Sequence, residues 1–146
     1  MNNRAVNFGG AIDIDQNNTV LIDGSVFRGN TCNSSGGAIA GESTNNVTLK
    51  NTTVDNNSAG GAPHATGYRN APCTGGGIYF EKGSLTLENC TVTNNSTPKA
   101  GGGIGMGNTT LDAFLKSVKV SNTTFSGNVA NVLFNMTDET YVNLHT

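Results

Sequence analysis

Acidic side chains recur at one position of a repeated segment, and they are the residues of this chain best suited to chemistry. Asp15, Glu42 and Glu81 each stand three residues after an isoleucine in a GGAI or GGGI segment, and Asp13 lies nearby. If these segments stack as neighbouring turns, the carboxyls form an outward column with a spacing of about 5 Å. Two such carboxyls could serve glycoside hydrolysis or bind Ca²⁺. The simpler interpretation is that they are solubilising charges at strand ends.

A second group of candidate contact residues lies in an irregular segment at about residues 59–74. This segment contains His64, Tyr68 and Arg69. Tyrosine and arginine are enriched where proteins bind partners, so the segment is a candidate binding loop. Loops of repeat proteins also vary without any function of their own, and a shorter insertion at about 108–116 is open to the same two interpretations.

The three cysteines favour structural roles over a metal site. Cys32 and Cys73 hold equivalent positions ahead of the glycine segments in consecutive repeats, so they could form a disulfide or remain free thiols. Cys90 stands where other repeats have serine or threonine, which predicts a half-buried small residue. No Cys/His spacing is typical of zinc, and neither His64 nor His145 has a serine and an aspartate arranged as a triad.

A sequence repeat determines where all of these residues stand. The GGAI and GGGI segments begin at Gly9, Gly36, Gly75 and Gly101, and each is followed by an alternating apolar segment. Those second segments read VLIDGSVFRGN, VTLKNTTVDNN, LTLENCTVTNN and VKVSNTTFSGN, and a partial fifth unit covers residues 132–144. Units of this kind cannot bury their apolar surface alone, so they are expected to stack and share one core.

The aligned repeats give four apolar columns, as expected for short strands that point alternate side chains inward. A polar column of asparagine is expected to point inward as well and to form a hydrogen-bonded ladder. The apolar columns are Ile12, Ile39, Ile78, Ile104 and Leu133; Val20, Val47, Leu85, Val118 and Val142; Ile22, Leu49, Leu87, Val120 and Leu144; and Phe27, Val54, Val92 and Phe125. The ladder column is Asn30, Asn57, Asn95 and Asn128.

Repeat length and composition predict an all-β protein, a right-handed parallel β-helix of about four to five turns. The first two repeats are 27 residues apart, whereas the blades of a β-propeller need about 40. Asn (22), Gly (20), Thr (19) and Ser (10) make up almost half of the 146 residues, which disfavours a helical bundle. The net charge is −2 with no basic patch, and no apolar run could span a membrane. We expect residues 1–146 to be a single segment of a larger protein.

The pairing of GGAI with FxxN, seen here at residues 27–30 and 125–128, resembles the repeat of the chlamydial polymorphic membrane proteins. The resemblance extends over about residues 6–144, although Val54 and Val92 replace the phenylalanine in two repeats. It implies a β-helix displayed at a bacterial surface or secreted, often as the adhesive passenger of an autotransporter.

These features together lead us to expect an extracellular or cell-surface segment, associated with the outer membrane, that serves adhesion or assembly rather than catalysis. Its expected partner is a protein or glycan at a cell surface, or adjacent turns of a parent chain or a second copy that cover its open ends. Binding of nucleic acid and membrane insertion by this segment are not expected. The alternative is a carbohydrate-active enzyme resembling pectate lyases and polygalacturonases, which share the general fold, with Asp15, Glu42 and Glu81 as its site. No cofactor is expected unless the carboxylates bind Ca²⁺.

Overall fold

The protein is described by a computed structural model that covers residues 1–60, 75–106 and 116–131. Within these ranges the regular structure is fifteen strands without a helix, so nothing there could cross a membrane as a helix. The strands are β1 (Arg4–Ala5), β2 (Ile12–Ile14), β3 (Thr19–Asp23), β4 (Val26–Arg28), β5 (Thr31–Cys32), β6 (Ile39–Lys50), β7 (Thr53–Asp55), β8 (Ser58–Ala59), β9 (Ile78–Glu88), β10 (Thr91–Thr93), β11 (Ser96–Thr97), β12 (Ile104–Met106), β13 (Lys116–Ser121), β14 (Thr124–Ser126) and β15 (Val129–Ala130).

All strand pairs in the described ranges are parallel and join equivalent strands of consecutive coils. Sheet A has the order β1-β5-β8-β11-β15, and sheet C has the order β14-β10-β7-β4. Sheet B has the order β12-β9-β6-β2, with β3 paired to β6 and β13 paired to β9. Each coil therefore crosses sheet B, then sheet C, then sheet A. Coil 1 is β2–β5, coil 2 is β6–β8, coil 3 is β9–β11 and coil 4 is β12–β15. The predicted parallel β-helix is confirmed.

The strand registers bring together the residues of the apolar columns that the repeats predict. Ile12 pairs with Ile39, Ile39 with Ile78, and Ile78 with Ile104. The columns that begin at Val20, Ile22 and Phe27 are aligned in the same way over all four coils. Coils 2 and 3 bury these side chains completely, whereas the column residues of coils 1 and 4 are mostly only partly buried. Leu133, Val142 and Leu144 lie outside the described residues.

Glycine is required before sheet B because the backbone there runs directly against sheet A. A Cβ on Gly37 would lie 2.1 Å from the carbonyl oxygen of Gly76 and 2.6 Å from the backbone nitrogen of Ser58. A Cβ on Gly76 would meet Gly102 and Ser96 in the same way, at 2.3 and 2.6 Å. Because real Cβ atoms essentially never come closer than 3.0 Å to such atoms, the repeated glycines mark a close approach of two backbones.

The asparagine column forms a ladder inside the coils, between sheets C and A. The side-chain amide of Asn30 donates to Oδ1 of Asn57 at 2.9 Å, that of Asn57 to Asn95 at 2.9 Å, and that of Asn95 to Asn128 at 2.9 Å. Each acceptor oxygen also receives the backbone N–H of the preceding rung. Asn3 adds a rung before Asn30 that the repeat alignment misses, because only the end of a coil precedes it.

Several expectations fall outside the described residues. The candidate binding residues His64, Tyr68 and Arg69 are among them, as is Cys73. The same holds for most of the two insertions, 59–74 and 108–116, of which the structure describes the end residues 59–60 and 116.

Candidate functional site

Sheet B has a junction at which the coils follow different paths, and the acidic residues lie there. Coil 1 leaves the sheet after β2 and returns at β3, so residues 15–18 form a turn. Coil 2 runs straight through as β6, but its register against β9 shifts between Gly41 and Thr44. Two residues of coil 2 thus oppose one residue of coil 3, which defines a β-bulge. Bulges commonly re-aim a side chain next to a functional site. We call residues 13–18, 42–45 and 81–83 the sheet B junction.

Four carboxyl groups interact at this junction. Glu42 lies in the bulge, and Asp13, Glu81 and Asp15 all act on its charge. Partial burial, followed by repulsion from those three carboxylates in that order, raises the pKa of Glu42 from 4.5 to about 7. Glu42 thus lies within electrostatic range of Asp13, Glu81 and Asp15, and we call these four residues the carboxylate cluster.

The environment of Glu42 differs from that of its neighbours. Asp13 and Asp15 are exposed, whereas Glu42 and Glu81 are half-buried. The Oε1 atom of Glu42 is buried without a hydrogen-bond partner. A buried carboxyl oxygen without a donor holds its proton more readily than an exposed one, because water does not stabilise the charge. Glu42 can thus hold its proton near neutral pH.

An aromatic pair lies on the outer face of sheet B beside the carboxylate cluster. Asp13, Ala40, Tyr79 and Gly105 hold one outward column of the register. Tyr79 is nevertheless only 6% exposed, and its ring stacks against that of Phe8 with centroids 6.1 Å apart and planes 15° apart. The sequence repeat gives no sign of this contact, because Phe8 reaches Tyr79 from outside the coils and from two coils away.

The cysteines in the described residues are both buried. Cys32 is 4% exposed, and its predicted pairing with Cys73 involves a residue outside the described part. Cys90 is 3% exposed, so the expectation of a half-buried residue is wrong. Its thiol donates to the carbonyl oxygens of Leu49 and Glu88, at 3.3 Å each. Within residues 1–60, 75–106 and 116–131, no group of three His, Cys, Asp or Glu residues is arranged to hold a metal ion.

Comparison with known proteins agrees with the coil architecture. No curated protein matches the chain, and no solved structure matches it. One family model does match, and its description is right handed beta helix region. Because this match covers residues 1–145, nearly the whole chain, the protein belongs to the right-handed β-helix family.

Proposed function

We propose that this chain is a glycan-binding segment of an extracellular or surface-displayed β-helix, with the carboxylate cluster as its contact site. The observation that carries the proposal is the convergence of Asp13, Asp15, Glu42 and Glu81 on one outer junction of the fold. Such a concentration of like charge costs stability, so solubility alone is a poor reason for it. Carboxylate oxygens are strong acceptors for the hydroxyl and amino groups that sugars display.

The sign of the charge restricts the glycan. Asp13, Asp15 and Glu81 repel the carboxylates of a polyuronate, so pectin-like chains fit the site poorly. Neutral sugars and amino sugars fit it, because their hydroxyl and ammonium groups donate hydrogen bonds to carboxylates. The half-buried ring of Phe8, stacked on Tyr79, provides an apolar surface beside these acceptors. Apolar faces next to polar anchors are the usual composition of a small-ligand site.

The rest of the outer surface suits a structural rod. Sheet C presents threonine at three consecutive outward positions, Thr53, Thr91 and Thr124, and an ion pair joins Arg28 to Asp55 at 2.9 Å across two coils. This hydroxyl-rich surface and the GGAI/FxxN resemblance together support display at a bacterial surface, as in the chlamydial type of repeat. Adhesion is the proposed role of this segment, and export would depend on a larger protein that contains it.

The test is binding to immobilised oligosaccharides of three charge classes. We expect chitosan oligomers to bind best, neutral glucans less well and polygalacturonate not at all. Asp15→Asn should weaken the binding of chitosan about tenfold to a hundredfold, the worth of one or more charged hydrogen bonds.

The matched control is Glu88→Gln, which removes the same charge from the outer end of β9, where Glu88 pairs with Lys50 at 2.9 Å. This variant should bind like the unaltered protein. Equal losses in Asp15→Asn and Glu88→Gln would show that net charge rather than the cluster attracts the glycan, and the proposal would then be wrong.

A second candidate function is glycoside hydrolysis, and one observation favours it. Glycosidases pair a carboxylic acid that donates a proton with a carboxylate that acts as nucleophile or base. Glu42, with a pKa raised to about 7, has the character of the proton donor, and Asp13, Asp15 or Glu81 would supply the carboxylate. Release of reducing ends from a neutral polysaccharide, abolished in Glu42→Gln while binding persists, would favour this enzyme over the adhesin.

A further inference from the structure

Asn45 is a buried asparagine that belongs to the sheet B junction and not to the asparagine ladder. It is 1% exposed and lies inside coil 2, directly after the bulge. Its Oδ1 accepts the backbone N–H of Asn18 at 2.8 Å. Its side-chain amide donates to the carbonyl of Ile14 at 3.1 Å and to the carbonyl of Glu42. All of its side-chain hydrogen bonds therefore go to the backbone of the junction.

These three partners are the segments that carry the carboxylates. Ile14 and Asn18 flank the turn that carries Asp15, and the third partner is the carbonyl of Glu42 itself. One side chain thus fixes the two ends of the coil 1 turn relative to the coil 2 bulge. Backbone groups held in this way cannot shift independently, because a buried donor or acceptor left unpaired is costly.

Coil 3 is held against the same residue. Gly83 pairs with Asn45 in the register and has a φ of +94°, and a Cβ there would lie 2.0 Å from the carbonyl oxygen of Asn45. The residue after Glu81 and Lys82 must therefore be glycine for the coil 3 backbone to pass this close. This contact is with the backbone of Asn45, so Glu81 is placed by the close approach of the coil 2 and coil 3 backbones and not by the Asn45 side chain.

We infer that Asn45 is the positioning residue of the carboxylate cluster, whose side chain sets how closely the carboxyls of Asp15 and Glu42 approach one another. Its functional meaning rests on the proposed glycan site, but the positioning itself does not. A buried asparagine could also serve stability alone, as the ladder asparagines do. The two roles differ in what happens to the electrostatics of Glu42 when the side chain is removed.

The experiment is a carboxyl NMR titration of Glu42 in the full chain. The groups that act on it are Asp13, Glu81 and Asp15. In Asn45→Ala the turn and the bulge can separate and admit water, so the pKa of Glu42 should fall from about 7 toward 4.5, by on the order of one unit or more. The matched control is Asn95→Ala, which removes another fully buried asparagine but leaves the junction intact.

The outcomes separate positioning from a purely structural role. A fall in the pKa of Glu42 in Asn45→Ala, with no change in Asn95→Ala, supports the inference. An unchanged pKa in Asn45→Ala, or equal shifts in both variants, overturns it. If Asn45→Ala does not fold, Asn45→Ser provides the same comparison, since a serine hydroxyl cannot reach all three partners. Absence of any glycan affinity in the unaltered chain would refute the proposed function and leave this titration result standing.

Discussion

Glu42 shows how a single residue in this fold can work against stability. Its carboxyl is half-buried among other carboxylates, so its pKa in the folded chain lies at about 7, above the value of 4.5 expected in the unfolded chain. A group whose pKa is raised by folding contributes fully to stability below its unfolded pKa and loses that contribution as pH rises through its folded pKa. The charge of Glu42 should thus destabilise the protein progressively between pH 4.5 and about 7.

Glu42→Gln should therefore stabilise the protein at pH 8 and leave it unchanged at pH 4. The gain should be about 1 kcal/mol once solvent screening of a half-exposed group is allowed for, or roughly 3 °C in the melting temperature. Thermal unfolding of both proteins at the two pH values measures it. Glu88→Gln is the control, and an equal shift at pH 4 and pH 8 would contradict the assignment of the raised pKa to Glu42.

The ladder makes a second prediction at the residue scale. Asn95→Ala removes the oxygen that accepts both the backbone N–H and the side-chain amide of Asn57, and the amide that donates to the carbonyl of Val54, inside the middle of the coils. The loss in the free energy of unfolding should be about 1–3 kcal/mol for each buried group left unpaired. Asn128→Ala should cost less, because Asn128 is only half-buried. Urea denaturation compares the two, and a larger loss at Asn128 would contradict the ladder as the source of the effect.

How much of this the sequence could predict depends on whether a residue recurs. Asn30, Asn57, Asn95 and Asn128 recur in every coil, so alignment of the repeats is enough to find the ladder. Asn45 has an asparagine at the equivalent position in coil 1, Asn18, but coil 3 has Gly83 there, so no column of asparagine marks it. The bulge beside it follows from one extra residue between two strands. The contact of Phe8 with Tyr79 is a side-chain contact between distant coils, which leaves no period in the sequence. Features that do not recur in every coil had to await the structure.

At the scale of elements, the glycine segments determine how sheet B can approach sheet A. Gly76→Ala should destabilise the protein by about 1–3 kcal/mol, because its methyl group would overlap the backbone of Gly102 and Ser96. Gly24→Asn is the contrasting variant, since Gly24 has a φ of +58° with nothing within 4 Å of its ideal Cβ, and the equivalent Asn51 has a φ of 48°. It should change stability by less than about 0.5 kcal/mol.

Chemical denaturation of these two variants measures the difference. A Gly76→Ala variant as stable as Gly24→Asn would show that the two backbones can move apart, and the close approach would then not be what selects glycine.

At the scale of the whole molecule, stability should be graded along the axis. Coils 2 and 3 bury their columns completely, with Val54, Leu87 and Val92 at 0% exposure. Val20 and Phe27 in coil 1 and Phe125 in coil 4 are only partly buried. Burial of apolar surface is the main stabilising contribution, so the end coils should open before the middle ones.

Amide hydrogen exchange should therefore be slowest in β7, β9 and β10 and faster in β3 and β14. Val54→Asp, which places a charge in the centre of the core, should unfold all coils together and remove the strand signal from the circular dichroism spectrum. Uniform protection from β3 to β14 would contradict this gradient. A Val54→Asp variant of unchanged stability would contradict the place of Val54 in the centre of the core.

The spacing of the ladder asparagines has a consequence for engineering. Successive rungs are separated by 27, 38 and 33 residues along the chain, yet each rung bonds to the next with the same 2.9 Å contact. The cross-section of a coil is thus independent of the length of the chain that connects its strands. Foreign peptides grafted between β8 and β9 or between β12 and β13 should be carried without disturbing the stack. Each coil advances along the axis by about one strand spacing, so displayed loops could be placed at chosen heights along the molecule.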